Sequence, residues 1–242
     1  KVLDEINALD VGTGVSIVGC EPPEVYCLKH EYVALLPKRR AEIETITKRV
    51  WLMDEFILRN LESDNLLSKI QEQVPALQKK IAFHPHCHQR AEGLTDNGLP
   101  TGTAATVELL RAFGFEVDVI DAGCCGMAGT FGYDAEHYEL SMQIGELKLF
   151  PAIRELAPSA LKGTSPSEAS LGGKSDRNTF YENQNSNFGF GGGRVGVVST
   201  GSACRLQIKQ GTGKDAEHPL VVIAKLITDV THHPAGLRSK QA

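Results

Sequence analysis

Apolar and polar positions alternate along the chain in short strand-like runs, each closing in a loop, with longer helical stretches between them. Val15 to Val18 is a short, mostly β-branched apolar run of the kind that forms a buried strand. It opens into Gly19-Cys20-Glu21-Pro22-Pro23, which must be loop, because two prolines withdraw backbone donors and restrict the residues before them. Residues 24–36 and 38–60 read as helix, with Leu52, Phe56, Ile57 and Leu61 recurring near the 3.6-residue period. Lys79 to Phe83 is a second strand and runs directly into His84-Pro85-His86-Cys87-His88-Gln89. A helix around 102–112 precedes a third strand, Phe115 to Ile120, which delivers the chain to Asp121-Ala122-Gly123-Cys124-Cys125-Gly126. Residues 134–150 form an amphipathic helix with Tyr138, Met142 and Leu149 on its apolar face. The strand from Val195 to Val198 ends in Thr200-Gly201-Ser202-Ala203-Cys204; a helix should follow, and His218-Pro219 introduces the last one, through about Val230.

Strands alternating with helices predict an α/β fold: a Rossmann-like open, mostly parallel sheet flanked by helices. Three strand ends each deliver cysteine to a loop: Phe83 before Cys87, Ile120 before Cys124, and Val198 before Cys204. In such sheets the loops beyond the carboxyl ends of the strands converge on one face, where sites form. Residues 161–193 break the pattern, with Gly, Ser, Asn and Lys and almost no aliphatic residues. They cannot bury enough surface to offset ordering entropy and are expected to be a flexible insertion. The polar tail, 231–242, is expected to be disordered.

With 242 residues, 41% of them hydrophobic, the chain can fill one ordinary α/β domain, or one domain plus part of another. A formal charge of −5, with dispersed basic residues, gives no reason to expect nucleic acid as a partner. No run approaches the roughly 20 apolar residues of a transmembrane segment, and no signal peptide is visible. A cytoplasmic location is the default expectation, with peripheral attachment to a membrane through a partner left open. The chain starts at Lys1 with residues that read as the tail of a helix feeding a strand, as in a fragment, a processed product or a chain cut for expression.

Six cysteines are too few for a disulfide scaffold, and without an export signal clustered cysteines read better as metal ligands or redox groups. Four thiolates, Cys87, Cys124, Cys125 and Cys204, can satisfy one soft centre, either tetrahedral zinc or an iron–sulfur cluster. Cys87 lies 37 positions before Cys124, and Cys125 lies 79 before Cys204, unlike the close Cys-x-x-Cys pairs of a zinc ribbon or bacterial ferredoxin. Adjacent cysteines rarely present both sulfurs to one small ion without strain, whereas a larger cluster accommodates both. Gly123 and Gly126 flank the pair and let the backbone turn around a bulky ligand. Buried free cysteines, or a vicinal disulfide or thiol redox pair at Cys124-Cys125, are the competing readings. His84, His86 and His88 surround Cys87 and are candidates for hydrogen bonds to cluster sulfur or a substrate anion, with a zinc-ligand role or a solvated turn as alternatives. Arg205 could set positive charge beside the thiolates or face solvent. Gly189 to Gly193 and Gly211-Thr212-Gly213-Lys214 lack the phosphate-loop pattern, and neither a dinucleotide fingerprint nor a Ser-His-Asp or paired-carboxylate signature is present. Electron passage, with the organic chemistry elsewhere, fits that absence.

Three segments, His84-Pro-His-Cys-His-Gln-Arg-Ala, Asp121-Ala-Gly-Cys-Cys-Gly-Met-Ala-Gly-Thr-Phe-Gly-Tyr and Gly201-Ser-Ala-Cys-Arg-Leu-Gln-Ile, carry a likeness to a known family. They resemble the cysteine-rich CCG domain of glycolate oxidase iron–sulfur subunits, lactate-utilisation proteins and heterodisulfide reductase. The likeness is nearest to the C-terminal iron–sulfur region of FAD-linked oxidases of the D-lactate and D-2-hydroxyglutarate dehydrogenase type. It covers about residues 79–160 and 194–230. The resemblance implies that residues 79–230 are a second CCG repeat and residues 1–78 the remnant of a first plus linking helices. Gly19-Cys20-Glu21-Pro22-Pro23…Cys27 resembles the end of that first repeat, with Cys27 as its last ligand and Cys20 as competitor. The final element carries Cys204 alone where the heterodisulfide reductase form has Cys-x-x-Cys, so a four-cysteine site is implied. The expected function is an iron–sulfur, most simply 4Fe-4S, electron-transfer domain of an FAD-dependent 2-hydroxyacid dehydrogenase or oxidase, not catalytic alone. FAD would lie on a missing portion or on a partner protein, with an electron acceptor as second partner. A structural zinc-binding or partner-docking module is the alternative.

Overall fold

The computed structural model describes residues 1–9, 14–63, 68, 79–93, 95–96, 98–156 and 196–232. The expected insertion at 161–193 lies outside them, as do residues 233–242 of the expected tail.

Three strands form the central sheet: β3 (Lys79–His84), β6 (Phe115–Val119) and β7 (Gly196–Ser199), all parallel, in the order β6-β3-β7. Register is continuous, with Ile81 opposite Val117 and Gly196, and His84 opposite Ser199. The middle strand is covered on both faces, so Ile81, Ala82 and Phe83 are all buried. On the edge strand β6, Phe115 and Val117 point inward while Glu116 and Asp118 face solvent and pair with Lys80. One face of the sheet packs on α7 (Gly102–Ala112) and α11 (Pro219–His232) through Phe83, Leu109, Leu110, Val198, Val222 and Leu226. The other packs on α9 (Leu149–Glu155) and α10 (Ser202–Thr212) through Ala82, Val197, Phe150, Ile153 and Ile208. Cys125, Met127 and Cys204 belong to this second cluster, so the cysteine loops are continuous with the core.

A smaller unit precedes the sheet. The strands β1 (Ile17–Gly19) and β2 (Val50–Leu52) pair in parallel, with α1 (Val2–Leu9), α2 (Pro22–Tyr26), a π-helical turn at Cys27–Glu31, α3 (Tyr32–Leu35) and α4 (Arg40–Thr47) around them. Leu3, Val25, Tyr26, Ile43, Ile46, Val50 and Leu52 form its core. The observed architecture is thus an open α/β fold of short parallel sheets flanked by helices, as the strand–helix alternation predicted. Among the described residues the one antiparallel pair is a two-residue ladder, β4 (Thr95–Asp96) with β5 (Leu99–Pro100), after the helix α6 (Cys87–Ala91).

Two helix expectations change. The segment 38–60 is not one helix: α4 stops at Thr47, β2 intervenes, and α5 (Met53–Ser63) starts afresh. Val50-Trp51-Leu52 fits the helical period, but β1 has no other partner among the described residues, and pairing Ile17 with Val50 satisfies both ladders. The segment 134–150 begins its helix only at Tyr138 and breaks at Lys148, giving α8 (Tyr138–Leu147) and then α9. Pro151 explains the break. It has no N–H for the Leu147 carbonyl and its ring would collide there, but it is tolerated in the first turn of a new helix. Leu149 is buried as expected, whereas Tyr138 is half exposed.

Buried polar residues join the two units. Asp54 and Glu55, in the first turn of α5, are fully buried. Glu55 accepts from the Tyr26 hydroxyl at 2.8 Å, from the Leu52 amide at 3.2 Å and from the Gly102 amide at 2.8 Å. Asp54 accepts from the Thr106 hydroxyl, and its second oxygen has no partner. Burial raises the Asp54 carboxyl from 3.8 to about 6, against the opposing pull of Thr106. The sign follows: the folded chain holds this proton more tightly than the unfolded chain, so this group's contribution to stability falls as pH rises from about 4 to about 6. Asp54→Asn should therefore gain stability relative to the parent across that window, read as a widening difference in melting temperature. A constant difference would mean that Asp54 is not the titrating group.

Candidate metal centre

The loops after β3, β6 and β7 meet as the topology requires. His84 ends β3, and Pro85 and His86 carry the chain to Cys87, the first residue of α6. His86 caps that helix, its Nδ1 accepting from the His88 amide at 3.2 Å. The amide of Ile120, just past β6, donates to the Phe83 carbonyl at 2.8 Å and holds the Cys124-Cys125 loop beside the end of β3. Cys204 sits in the first turn of α10, directly after β7.

The four cysteines form a connected chain of thiols. The thiols of Cys125 and Cys87 both act on Cys124, and that of Cys125 also acts on Cys204. Cys125, then Cys87, holds the Cys124 thiol far below its ordinary value, helped by the Gly126 amide, which donates to Cys124 Sγ at 3.3 Å. Cys204 is lowered to about 5, chiefly by Cys125, with His84 adding to the effect against burial. Cys87 and Cys125 move up, both first through the influence of Cys124. Cys125 and Cys204 are buried, and Cys87 and Cys124 half-buried. A cation bound by these sulfurs would displace their protons to solvent.

The surroundings are shaped around this cluster. Gly126 has φ +100°, and a Cβ there would lie 2.1 Å from the Ser141 carbonyl oxygen. Gly123, on the open side, has nothing within 4 Å of its Cβ position. At Gly201 a Cβ would stand 2.5 Å from Cδ2 of His86 and 3.2 Å from Cys204 Sγ. Gly201→Ala is accordingly expected to cost about 1–3 kcal/mol by overpacking and to raise the reactivity of Cys204 toward thiol reagents. Urea denaturation and timed alkylation of the metal-free protein check both effects, and unchanged values would mean that the His86 ring gives way freely.

Residues that the sequence pattern did not single out tie the loops together. Gln89 is fully buried; its Nε2 donates to Thr106 Oγ1 at 2.6 Å and to the Gly102 carbonyl at 3.2 Å, and its Oε1 accepts from Thr200 Oγ1 at 2.8 Å. Thr200 Oγ1 in turn accepts from the His86 amide at 3.4 Å, linking the Cys87 and Cys204 loops. Glu21 reaches across from the first unit and accepts from the Ser202 amide at 2.8 Å, at the start of α10. Its position in Gly19-Cys20-Glu21-Pro22-Pro23 was the only signal available for it. Arg205 is engaged away from the thiols: it donates to the Ser199 and Thr200 carbonyls at 3.0 and 2.7 Å and pairs with Glu21 at 3.3 Å.

Cys20 and Cys27 stand differently. Cys20 is exposed at the end of β1, and its carbonyl lies 3.3 Å from His218 Nε2. Cys27 starts the π-helical turn, where burial, and then Glu31 and Glu24, raise its thiol. Neither is among the thiols that act on Cys87, Cys124, Cys125 or Cys204.

The donors present are all soft sulfur, which suits zinc or an iron–sulfur cluster. Among the described residues, no three His, Cys, Asp or Glu side chains form a group that could hold a single metal ion. Gly123 leaves open space on one side of the thiols, and the fully buried His84 has no hydrogen-bond partner at either ring nitrogen. Four thiols are a donor set of the chemistry that zinc or an iron–sulfur cluster takes.

Comparison with known proteins finds likeness to parts of dehydrogenases. It is 25% identical to D-2-hydroxyglutarate dehydrogenase of Escherichia coli over 227 residues, 94% of the chain and 17% of that protein. It is 26% identical to one of the subunits of the anaerobic glycerol-3-phosphate dehydrogenase of Escherichia coli over 219 residues, 88% of the chain and 41% of that protein. D-2-hydroxyglutarate dehydrogenase of Haemophilus influenzae is 26% identical over 133 residues, 54% of the chain and 12% of that protein. The chain thus spans a minor part of each relative. D-2-hydroxyglutarate dehydrogenase is among the proteins that the resemblance of the cysteine segments named. No family model matches the chain. No solved structure matches it. Among the described residues, no helix is long and apolar enough to cross a membrane.

Proposed function

We propose that the chain is the iron–sulfur electron-transfer region of an FAD-dependent 2-hydroxyacid dehydrogenase or oxidase, with Cys87, Cys124, Cys125 and Cys204 as cluster ligands. The observation that supports this reading is that four thiols carried by three separate strand ends act on one another. The relatives' names support the dehydrogenase setting. A 4Fe-4S cluster here would supply one-electron transfer between a flavin and an acceptor. The chain's own residues set the frame: Gly126 directs its amide to Cys124, Gln89 and Thr200 join the Cys87 and Cys204 loops, and Glu21 holds the start of α10.

On this reading residues 79–230 are one cysteine-rich repeat and residues 1–78 the end of another plus its linking helices, with Cys27 or Cys20 as a remnant ligand. An FAD-bearing domain or partner protein and an electron acceptor are the partners, and the setting is cytoplasmic, at the membrane only through a partner. The chain by itself then has no dehydrogenase activity.

Anaerobic purification with quantification of iron, acid-labile sulfide and zinc, alongside the visible spectrum, tests the proposal. Near-stoichiometric iron and sulfide with a broad visible band support it. One zinc and no sulfide in a colourless protein would replace it with a structural or docking module.

A further inference from the structure

The three histidines around Cys87 occupy different settings. His86 is committed, its Nδ1 capping α6. His88 turns outward into a cleft shared with Tyr26, His30 and Glu92, its ring edge-on to that of His86 at 5.2 Å. His84 is fully buried at the end of the central strand, and both of its ring nitrogens lack a hydrogen-bond partner. A neutral imidazole carries one donor and one acceptor, and leaving such a group buried without a partner costs about 1–3 kcal/mol. Its register neighbour Ser199 does not relieve it, since that hydroxyl is also unpartnered. Of the four thiols, it is Cys204 that His84 helps to hold down.

A buried ring that acts on Cys204 and has no hydrogen bond of its own is placed to donate to a group held at that thiol. We propose that His84 donates a ring N–H to a sulfur of the centre on its Cys204 side, positioning that centre and raising its reduction potential without ligating it. The inference rests on the cluster reading above. Hydrogen bonds to sulfur stabilise the more negative reduced state, and buried donors act there with little screening. A neutral side chain of similar bulk at this position would leave the four thiolates in place and remove only the donor.

The test compares the iron- and sulfide-loaded parent with His84→Leu and His84→Gln, the second of which retains an N–H. Three quantities are read: iron and sulfide per chain, midpoint potential by spectroscopic titration, and the shift of iron–sulfur Raman bands between H2O and D2O. Expected for His84→Leu are unchanged iron and sulfide, loss of the solvent-isotope shift, and a reduction equilibrium about tenfold less favourable, or about 59 mV for one electron. His84→Gln should fall between Leu and parent, and it preserves the test if the leucine variant does not fold. Full occupancy with an unchanged potential and isotope shift overturns the inference. Loss of iron from a folded His84→Leu protein also overturns it, by making His84 a ligand. A parent that assembles no cluster defeats the underlying reading instead, and the two failures are therefore distinct.

Discussion

Serine at both Cys124 and Cys125 is expected to abolish the visible band and to leave little iron or sulfide bound to the chain. Cys124 is the thiol on which both Cys87 and Cys125 act, and Cys125 acts in turn on Cys204. Serine keeps the size but substitutes a hard oxygen that does not ionise near neutral pH, so both properties the centre needs are lost. The effect should exceed the roughly 10–100-fold loss of metal affinity that follows changes merely outside a ligand shell. Cys20→Ser serves as the internal control: its thiol is exposed and outside the group, so iron and sulfide should persist. Cys27→Ser is the sharper comparison, because Cys27 is half-buried and yet its charged neighbours are Glu31 and Glu24 rather than the other thiols. Retention of iron and sulfide in the Cys124/Cys125 double variant would remove the pair from the site and reopen the thiol-redox reading.

The second large effect is on stability. Glu55→Ala is expected to cost on the order of 4 kcal/mol, because it strands three buried donors at once, each worth about 1–3 kcal/mol when unmet. Those donors are the Tyr26 hydroxyl, the Leu52 amide and the Gly102 amide. They belong respectively to the core of the first unit, the end of β2 and the start of α7, so one carboxylate joins both parts of the fold. The Tyr26 hydroxyl is strongly disfavoured from ionising, first by its own burial and then by the charge of Glu55. Glu55→Gln keeps one acceptor oxygen and should recover about half the loss. Chemical denaturation of the metal-free protein measures both variants, and a loss below about 1 kcal/mol for alanine would mean that water replaces the carboxylate at this junction.

Much of the frame was legible in sequence because it depends on local chemistry. The strands Lys79–His84, Phe115–Val119 and Gly196–Ser199 fall where short apolar runs lie, and each is followed by the cysteine loop that the residue order requires. Helix 102–112 and the start of the last helix at Pro219 follow from periodicity and from proline in a first turn. The strand Val50–Leu52 was not legible, since three apolar residues satisfy either period, and its identity depends on β1, far back in the chain. The division between α8 and α9 was signalled by Pro151, a marker outweighed by the amphipathic pattern on either side of it.

For the site, residue order determined which side chains carry the chemistry. Cysteines placed just beyond the ends of parallel strands meet at the same edge of a sheet, whatever fills the segments between them. Which of the other polar groups serve that site was decided only by tertiary structure. His84, His86 and His88 are equivalent candidates in the sequence, and the fold commits one to a helix cap, turns one outward and leaves one buried without a partner. Gln89, Thr200 and Glu21 join segments up to 184 positions apart, through bonds that no local pattern encodes. The physical reason is that a cysteine's place at a strand end is set by neighbours in the chain. A buried hydrogen bond exists only where packing excludes water and brings a distant donor within about 3 Å.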